Sequence, residues 1–140
     1  MNEVCGRIYE GTRRVFLVQA ANSEADTLLV SFEGIIRADD SGKILSGYIK
    51  ELDRFLSEHA AVNAVLDFTK LQFCNSTGFY TVMDILDVVY RRVPGRVLIR
   101  RLADDDWHTE TLPLLLVTLG ADVAVRTIYQ DVSEGAAVVT

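Results

Sequence analysis

The spacing of apolar residues divides the chain into stretches with a strand period and stretches with a helical period. Arg14–Ala20 (RVFLVQA) and Thr27–Gly34 (TLLVSFEG) are short and rich in β-branched and aromatic residues, as strands are. The polar segment ANSEAD between them predicts a hairpin connection. Gly6–Gly11 (GRIYEG) is expected to add an edge strand, so that residues 1–13 form an extra strand or an N-terminal extension. From Ser41 to Glu58 the period lengthens. Ile44, Leu45, Tyr48, Ile49, Leu52, Phe55 and Leu56 fall on one face of a helix, with Asp40 or Ser41 to cap it.

The second half alternates more regularly. AVLDF (Ala64–Phe68) is a nearly continuous apolar run, which predicts a central strand covered on both faces. Phe79, Val82, Met83, Leu86, Val89 and Tyr90 mark an amphipathic helix that begins after Asn75 and ends near Arg92, because Pro94-Gly95 cannot continue it. RVLIRRL (Arg96–Leu102) predicts another strand. Leu112, Leu115, Leu116 and Leu119 predict a short helix with Pro113 in its first turn and Gly120 as its stop. VAVRTIY (Val123–Tyr129) reads as a last strand, and Asp131-Val132-Ser133-Glu134 has capping-box spacing for a small helix over GAAVV. The expectation is an α/β fold in one domain covering residues 1–140: a mixed central sheet of four to five strands with about four helices.

Composition narrows the function classes. Apolar residues make up 49% of the chain and charged residues 24%, an ordinary globular balance with no run near the ~20 apolar residues of a membrane helix. A net charge of −6 argues against general nucleic-acid binding. The one basic cluster, Arg91, Arg92, Arg96, Arg100 and Arg101, fits a helix end and a solvated strand flank. The N-terminus lacks the apolar core of an export signal, and Cys5 and Cys74 lack CxxC spacing, so a reduced, cytoplasmic chain with no membrane partner is expected.

The segment with candidate chemistry is FCNSTGFY (Phe73–Tyr80), where a strand hands over to a helix. Ser76 there is a candidate nucleophile, phosphate acceptor or helix-cap residue. A nucleophile elbow needs glycines two residues either side of the serine, and position 74 is cysteine. A triad also needs a histidine base, and the chain has His59 at a helix end and His108 in the acidic loop DDDWHTE. Cys74 can be read as a thiolate at a helix N-terminus or as a buried apolar-like side chain, and the second reading suits a strand end. Neither metal-ligand spacing nor a phosphate-cradling glycine loop occurs, so no catalytic residue, metal or cofactor is expected; Asp104-Asp105-Asp106 reads as a solvated loop. With Asn75 as cap, the first-turn amides of Ser76, Thr77 and Gly78 are expected to be unpaired and to tolerate a phosphate on Ser76, while Gly78 permits close approach.

Val65–Gly78 (VLDFTKLQFCNSTG) resembles the signature of the STAS superfamily, the sulphate transporter and anti-sigma-factor antagonist domains. That signature runs from a strand through Ser/Thr and alternating apolar positions to Asp-Ser-Ser/Thr-Gly. TLLVSFEG resembles the family's second strand, and LLLVTLGADVAVRTIYQDVSEGAAV its third helix, final strand and terminal helix. The resemblance implies a single-domain STAS-like fold and a non-enzymatic bacterial signalling protein, an anti-sigma-factor-antagonist-like partner switch. Carried over, the phosphorylated residue is Ser76, with Thr77 the lesser candidate. The implied partners are a serine kinase or anti-sigma factor of the histidine-kinase-like ATPase type, released by phosphorylation so that transcription is regulated, and a PP2C-type phosphatase that resets the switch. The sequence departs from the pattern at Asn75, where the family has an acidic residue, and at Arg37, which aligns with a second acidic position. Arg37 is thereby a candidate cation for a phosphate on Ser76. Phe79, Tyr80, Asp84 and Asp87 are candidates for the partner-facing surface. The alternative is a STAS-like sensor holding a small anion or nucleotide at the Asn75–Gly78 helix N-terminus and Arg37.

Overall fold

A computed structural model of the protein describes residues 3–23 and 26–133. Six strands form one sheet in chain order: β1 (Glu3–Glu10), β2 (Arg13–Ser23), β3 (Thr27–Ile36), β4 (Asn63–Cys74), β5 (Val97–Leu102) and β6 (Thr127–Val132). β1, β2 and β3 are an antiparallel meander, whereas β3, β4, β5 and β6 run parallel. Parallel neighbours need crossovers. These are α1 (Ser41–Ile44) with α2 (Ser46–Glu58), then α3 (Ser76–Arg92), then α4 (Leu112–Val117) with α5 (Ala121–Arg126), the last pair preceded by one wide turn over Trp107–Thr111.

The mixed α/β architecture is as expected, but the described residues form six strands instead of four to five and five helices instead of about four. The added strand is β1, paired with β2 from Glu3↔Ala21 to Glu10↔Arg13 and so longer than Gly6–Gly11. Gly6 shows why a glycine lies inside it: a Cβ there would come within 2.9 Å of the Tyr48 ring, so its absence lets α2 pack flat against the strand. The long helix expected over Ser41–Glu58 is broken at Leu45 into α1 and α2. Neither Asp40 nor Ser41 caps it. Asp40 makes no side-chain cap bond, and the Ser41 hydroxyl is buried and bonded to Thr81 Oγ1 at 2.8 Å, which ties α1 to α3.

Buried positions alternate along the strands. Phe16, Val18 and Ala20, Leu28, Val30 and Phe32, Ala64, Leu66 and Phe68, and Val97 and Ile99 form one continuous buried face, in which Phe32 and Phe68 stack at 4.6 Å. Leu52, Leu56, Val82, Leu86, Leu112, Leu116 and Val123 of the helices join the same cluster. Among the described residues the sheet is therefore covered on one face, and the expectation that Ala64–Phe68 is covered on both is corrected to that extent. Val65 and Asp67 point to the open face and are half-buried. The strand expected over Val123–Tyr129 is also corrected: Ala121–Arg126 is helical and β6 begins at Thr127. A short apolar run does not distinguish the two periods, and the helical form buries Val123 while carrying Arg126 to the end of α3. Asp131 and Val132 belong to β6, and the terminal helix expected beyond them lies outside the described residues.

Candidate functional site

β4 ends at Cys74 and α3 starts at Ser76, leaving Asn75 as the hinge, with extended backbone (φ −75°, ψ −179°). Its side chain works in both directions. Oδ1 accepts from the Gly78 amide at 2.8 Å, an N-cap bond, while Nδ2 donates to the carbonyls of Arg37 (2.8 Å) and Ala38 (3.3 Å) in the β3–α1 loop. The main chain adds Asn75 N–H to Ile36 O at 3.0 Å. Asparagine here has a physical reason: aspartate would keep the cap but set a carboxylate against two carbonyl oxygens.

Thr77 joins the same network, its hydroxyl lying 3.0 Å from Asn75 Oδ1 and 3.2 Å from Ala38 O. Ser76 differs. It is exposed, and its hydroxyl has no hydrogen-bond partner among the described residues. The two neighbouring hydroxyls are thus unequal: modifying Thr77 requires breaking the loop contacts, and modifying Ser76 does not. Of the three amides expected to be unpaired, Gly78's is taken by the cap, so a group on Ser76 meets those of Ser76 and Thr77. Gly78 is buried, and a Cβ on it would lie 2.9 Å from Ile36 Cγ2 and 3.1 Å from Asn75 Oδ1. The close approach it permits is that of β3 and the cap.

Arg37 lies at the site through its backbone. Its guanidinium is engaged by Glu10 of β1, Nε to Oε2 at 3.1 Å and Nη2 to Oε1 at 2.5 Å, and this hydrogen-bonded pairing holds the Glu10 carboxyl below its usual range. Sequence reasoning missed Glu10, because nothing local links positions 10 and 37. The structure brings Asn75, Ser76, Thr77 and Gly78 together with the Arg37–Ala38 carbonyls, and places the Arg37 side chain on β1 instead.

The partner-facing candidates divide into two groups. Tyr80 is 73% exposed, Asp84 is exposed, and Asp87 is held by Arg91 at 3.1 Å, so these follow one outer stripe of α3. Partial burial and then the Asp87 charge push the Asp84 carboxyl upward. Phe79 points elsewhere, stacking on Trp107 with centroids 5.2 Å apart. Cys74 is buried, which pushes its thiol up to about 12, so it is an apolar-like strand end rather than a thiolate. His108 is buried with both ring nitrogens engaged. Nδ1 accepts from Leu102 N–H at 2.9 Å and Nε2 lies 3.3 Å from Leu71 O, while burial lowers its pKa. His59 stacks on Phe55 at 4.8 Å. Neither histidine is placed by these contacts as a base for Ser76.

Solved structures match this arrangement of sheet and crossovers. SiaC of Pseudomonas aeruginosa shares 21% identity over 94% of this chain and 100% of that one, with a TM-score of 0.58. The anti-sigma factor antagonist SpoIIAA in its unphosphorylated form shares 15% over 86% and 94%, with a TM-score of 0.51. The fold is that of the STAS domain. Within this STAS fold, the diguanylate cyclase SiaD in complex with its activator SiaC, also from Pseudomonas aeruginosa, gives a further match at 21% identity, covering 82% and 92%, with a TM-score of 0.52. No family model and no curated protein matches the sequence.

Proposed function

We propose that this STAS-fold chain is a partner-binding signalling regulator, a cytoplasmic bacterial switch without catalytic activity of its own, controlled by phosphorylation of Ser76. The observation that carries the reading is the contrast at the start of α3. A capped turn presents one exposed hydroxyl with no partner among the described residues, beside a neighbour whose hydroxyl is committed to the cap. A phosphate on Ser76 costs the fold little, because it adds a dianion at a helix N-terminus without breaking a bond. It also adds bulk and a strongly hydrated charge to the surface formed by Ser76, Tyr80 and Asp84, and so releases a protein docked there. Among the matched structures, SpoIIAA has been determined in both phosphorylated and unphosphorylated forms, and SiaC as the activator bound to a diguanylate cyclase.

Two kinds of partner fit the reading. One is a serine kinase or anti-sigma factor of the histidine-kinase-like ATPase type, with a PP2C-type phosphatase resetting the switch and transcription as the output. The other is a nucleotide cyclase activated by docking. The anion-sensor alternative is weaker, because the cation it relies on is already paired with Glu10. The test is quantitative co-purification from host cells of tagged wild type, Ser76→Ala and Ser76→Asp. The account expects a partner retained by the alanine form and depleted from the aspartate form. Identical partner sets for all three would end the switch reading.

A further inference from the structure

A pocket of about 250 Å³ lies between the end of β4, Phe79 of α3 and the segment Asp105–His108. Its walls are aromatic. Phe79 and Trp107 stack with an interplanar angle of 6°, and Phe73, although large and apolar, remains 51% exposed. Two of its lining residues, Cys74 and Phe79, immediately precede and follow Asn75–Gly78 in sequence, so the pocket adjoins the segment that carries Ser76 although none of those four residues lines it. The volume falls short of the roughly 300–1,000 Å³ of small-molecule sites and is on the scale of one bulky side chain.

Charge indicates what accompanies that side chain. No lysine or arginine lines the pocket, and its acidic lining group is Asp105, whose Oδ1 accepts from the amides of Trp107 (2.9 Å) and His108 (3.3 Å). Asp104 and Asp106 stand exposed on either side and form no ion pair among the described residues. An apolar hole with an acidic rim favours an apolar group carried next to a cation.

We propose that this pocket is the anchor point for a protein partner, receiving one large apolar side chain that is flanked in the partner's sequence by Lys or Arg facing Asp104–Asp106. The proposal deepens the partner-switch reading and depends on it for its role in signalling. Its basis in shape and charge is independent of any phosphate.

The test uses the full chain and a displayed, tryptophan-free random peptide library, panned on wild type and counter-selected on Gln72→Arg, which sets a cation among the pocket-lining positions. Trp107 is the chain's single tryptophan, so its emission reports directly on the pocket. The expected result is enrichment of peptides sharing a large apolar residue next to Lys or Arg. A synthetic copy should shift Trp107 emission and bind at least about tenfold more weakly to Gln72→Arg and to Phe73→Ala, roughly the loss expected of an anchor contact. Both substitutions are at exposed positions, and circular dichroism verifies that the variants fold. No enrichment, a consensus lacking the apolar–basic pair, unchanged Trp107 emission or indifference to both substitutions would each overturn the proposal. Phosphorylation of Ser76 is followed separately by mass spectrometry. Its absence, with peptide binding intact, would count against the switch and not against the pocket.

Discussion

The two ends of α3 handle the same problem in opposite ways. Every helix leaves unpaired carbonyls at its C-terminal end and unpaired amides at its N-terminal end. At the C-terminal end of α3, Arg126 reaches in from α5 and donates to the carbonyls of Tyr90 (2.7 Å), Val93 (2.5 Å) and Gly95 (3.1 Å). Val93 is fully buried, Pro94 stops the helix, and Arg92 pairs with Asp53 of α2 at 2.8 Å. At the N-terminal end, Asn75 satisfies Gly78 and ties down the β3–α1 loop, but the amides of Ser76 and Thr77 have no acceptor among the described residues and Ser76 is exposed. One end is closed by a long-range guanidinium and serves stability. The other is held rigid while its first turn stays available. That difference is why the regulatory reading attaches to Ser76 and not to the arginine cluster at the far end.

Substitutions sharpen the comparison, beginning with the closed end. Arg126→Met keeps the stem and removes the donors, leaving three carbonyls without their partner. It should lower unfolding stability by about 2–3 kcal/mol in urea denaturation, and a loss below about 1 kcal/mol would show that water replaces the guanidinium. At the open end, Gly78→Ala forces a Cβ to 2.9 Å from Ile36 and should cost about 2 kcal/mol. A neutral result in the same assay would mean that α3 shifts freely on β3. Asn75→Ala should cost about 1–2 kcal/mol through the lost cap. Asn75→Asp separates the cap from the tether: aspartate caps as well as asparagine, but it cannot donate to Arg37 O and Ala38 O. It should therefore remain about 1 kcal/mol below wild type, partly offset by the helix dipole, and full stability would remove the tether from the account. The smallest effects distinguish the two hydroxyls. Thr77→Val should lose about 0.5–1 kcal/mol, whereas Ser76→Ala should stay within about 0.5 kcal/mol of wild type in thermal unfolding.

Much of this arrangement was legible from local pattern. The period changes located β2, β3, β5, the first half of β4, the whole of α3 and Asn75 as its cap, because each depends on residues close in sequence; β4 runs on from Phe68 to Cys74. What escaped depends on tertiary contact. β1 became a full strand through pairing with β2 and the Gly6–Tyr48 contact, neither written in its own composition. The break at Leu45 follows Ser41 turning inward to Thr81, forty positions away. VAVR has strand-like alternation, yet helix formation there buries Val123 and lets Arg126 close α3. At the site, the sequence indicated Ser76 and Asn75 but not the inequality of Ser76 and Thr77, which arises from the Ala38 carbonyl. Arg37 looked available because its partner, Glu10, lies on the strand that sequence reading resolved least. The aromatic pocket unites residues 71–79 with 105–108, and only the packing of the wide turn against α3 reveals it.

The most direct test of the central claim is phosphopeptide mapping of the chain isolated from its native host across growth conditions, with Ser76→Ala and Thr77→Val expressed in parallel. The account predicts a phosphate on Ser76 in at least one condition, retained in Thr77→Val and lost in Ser76→Ala. A phosphate found on Thr77 instead, or none on this turn in any condition, would contradict it.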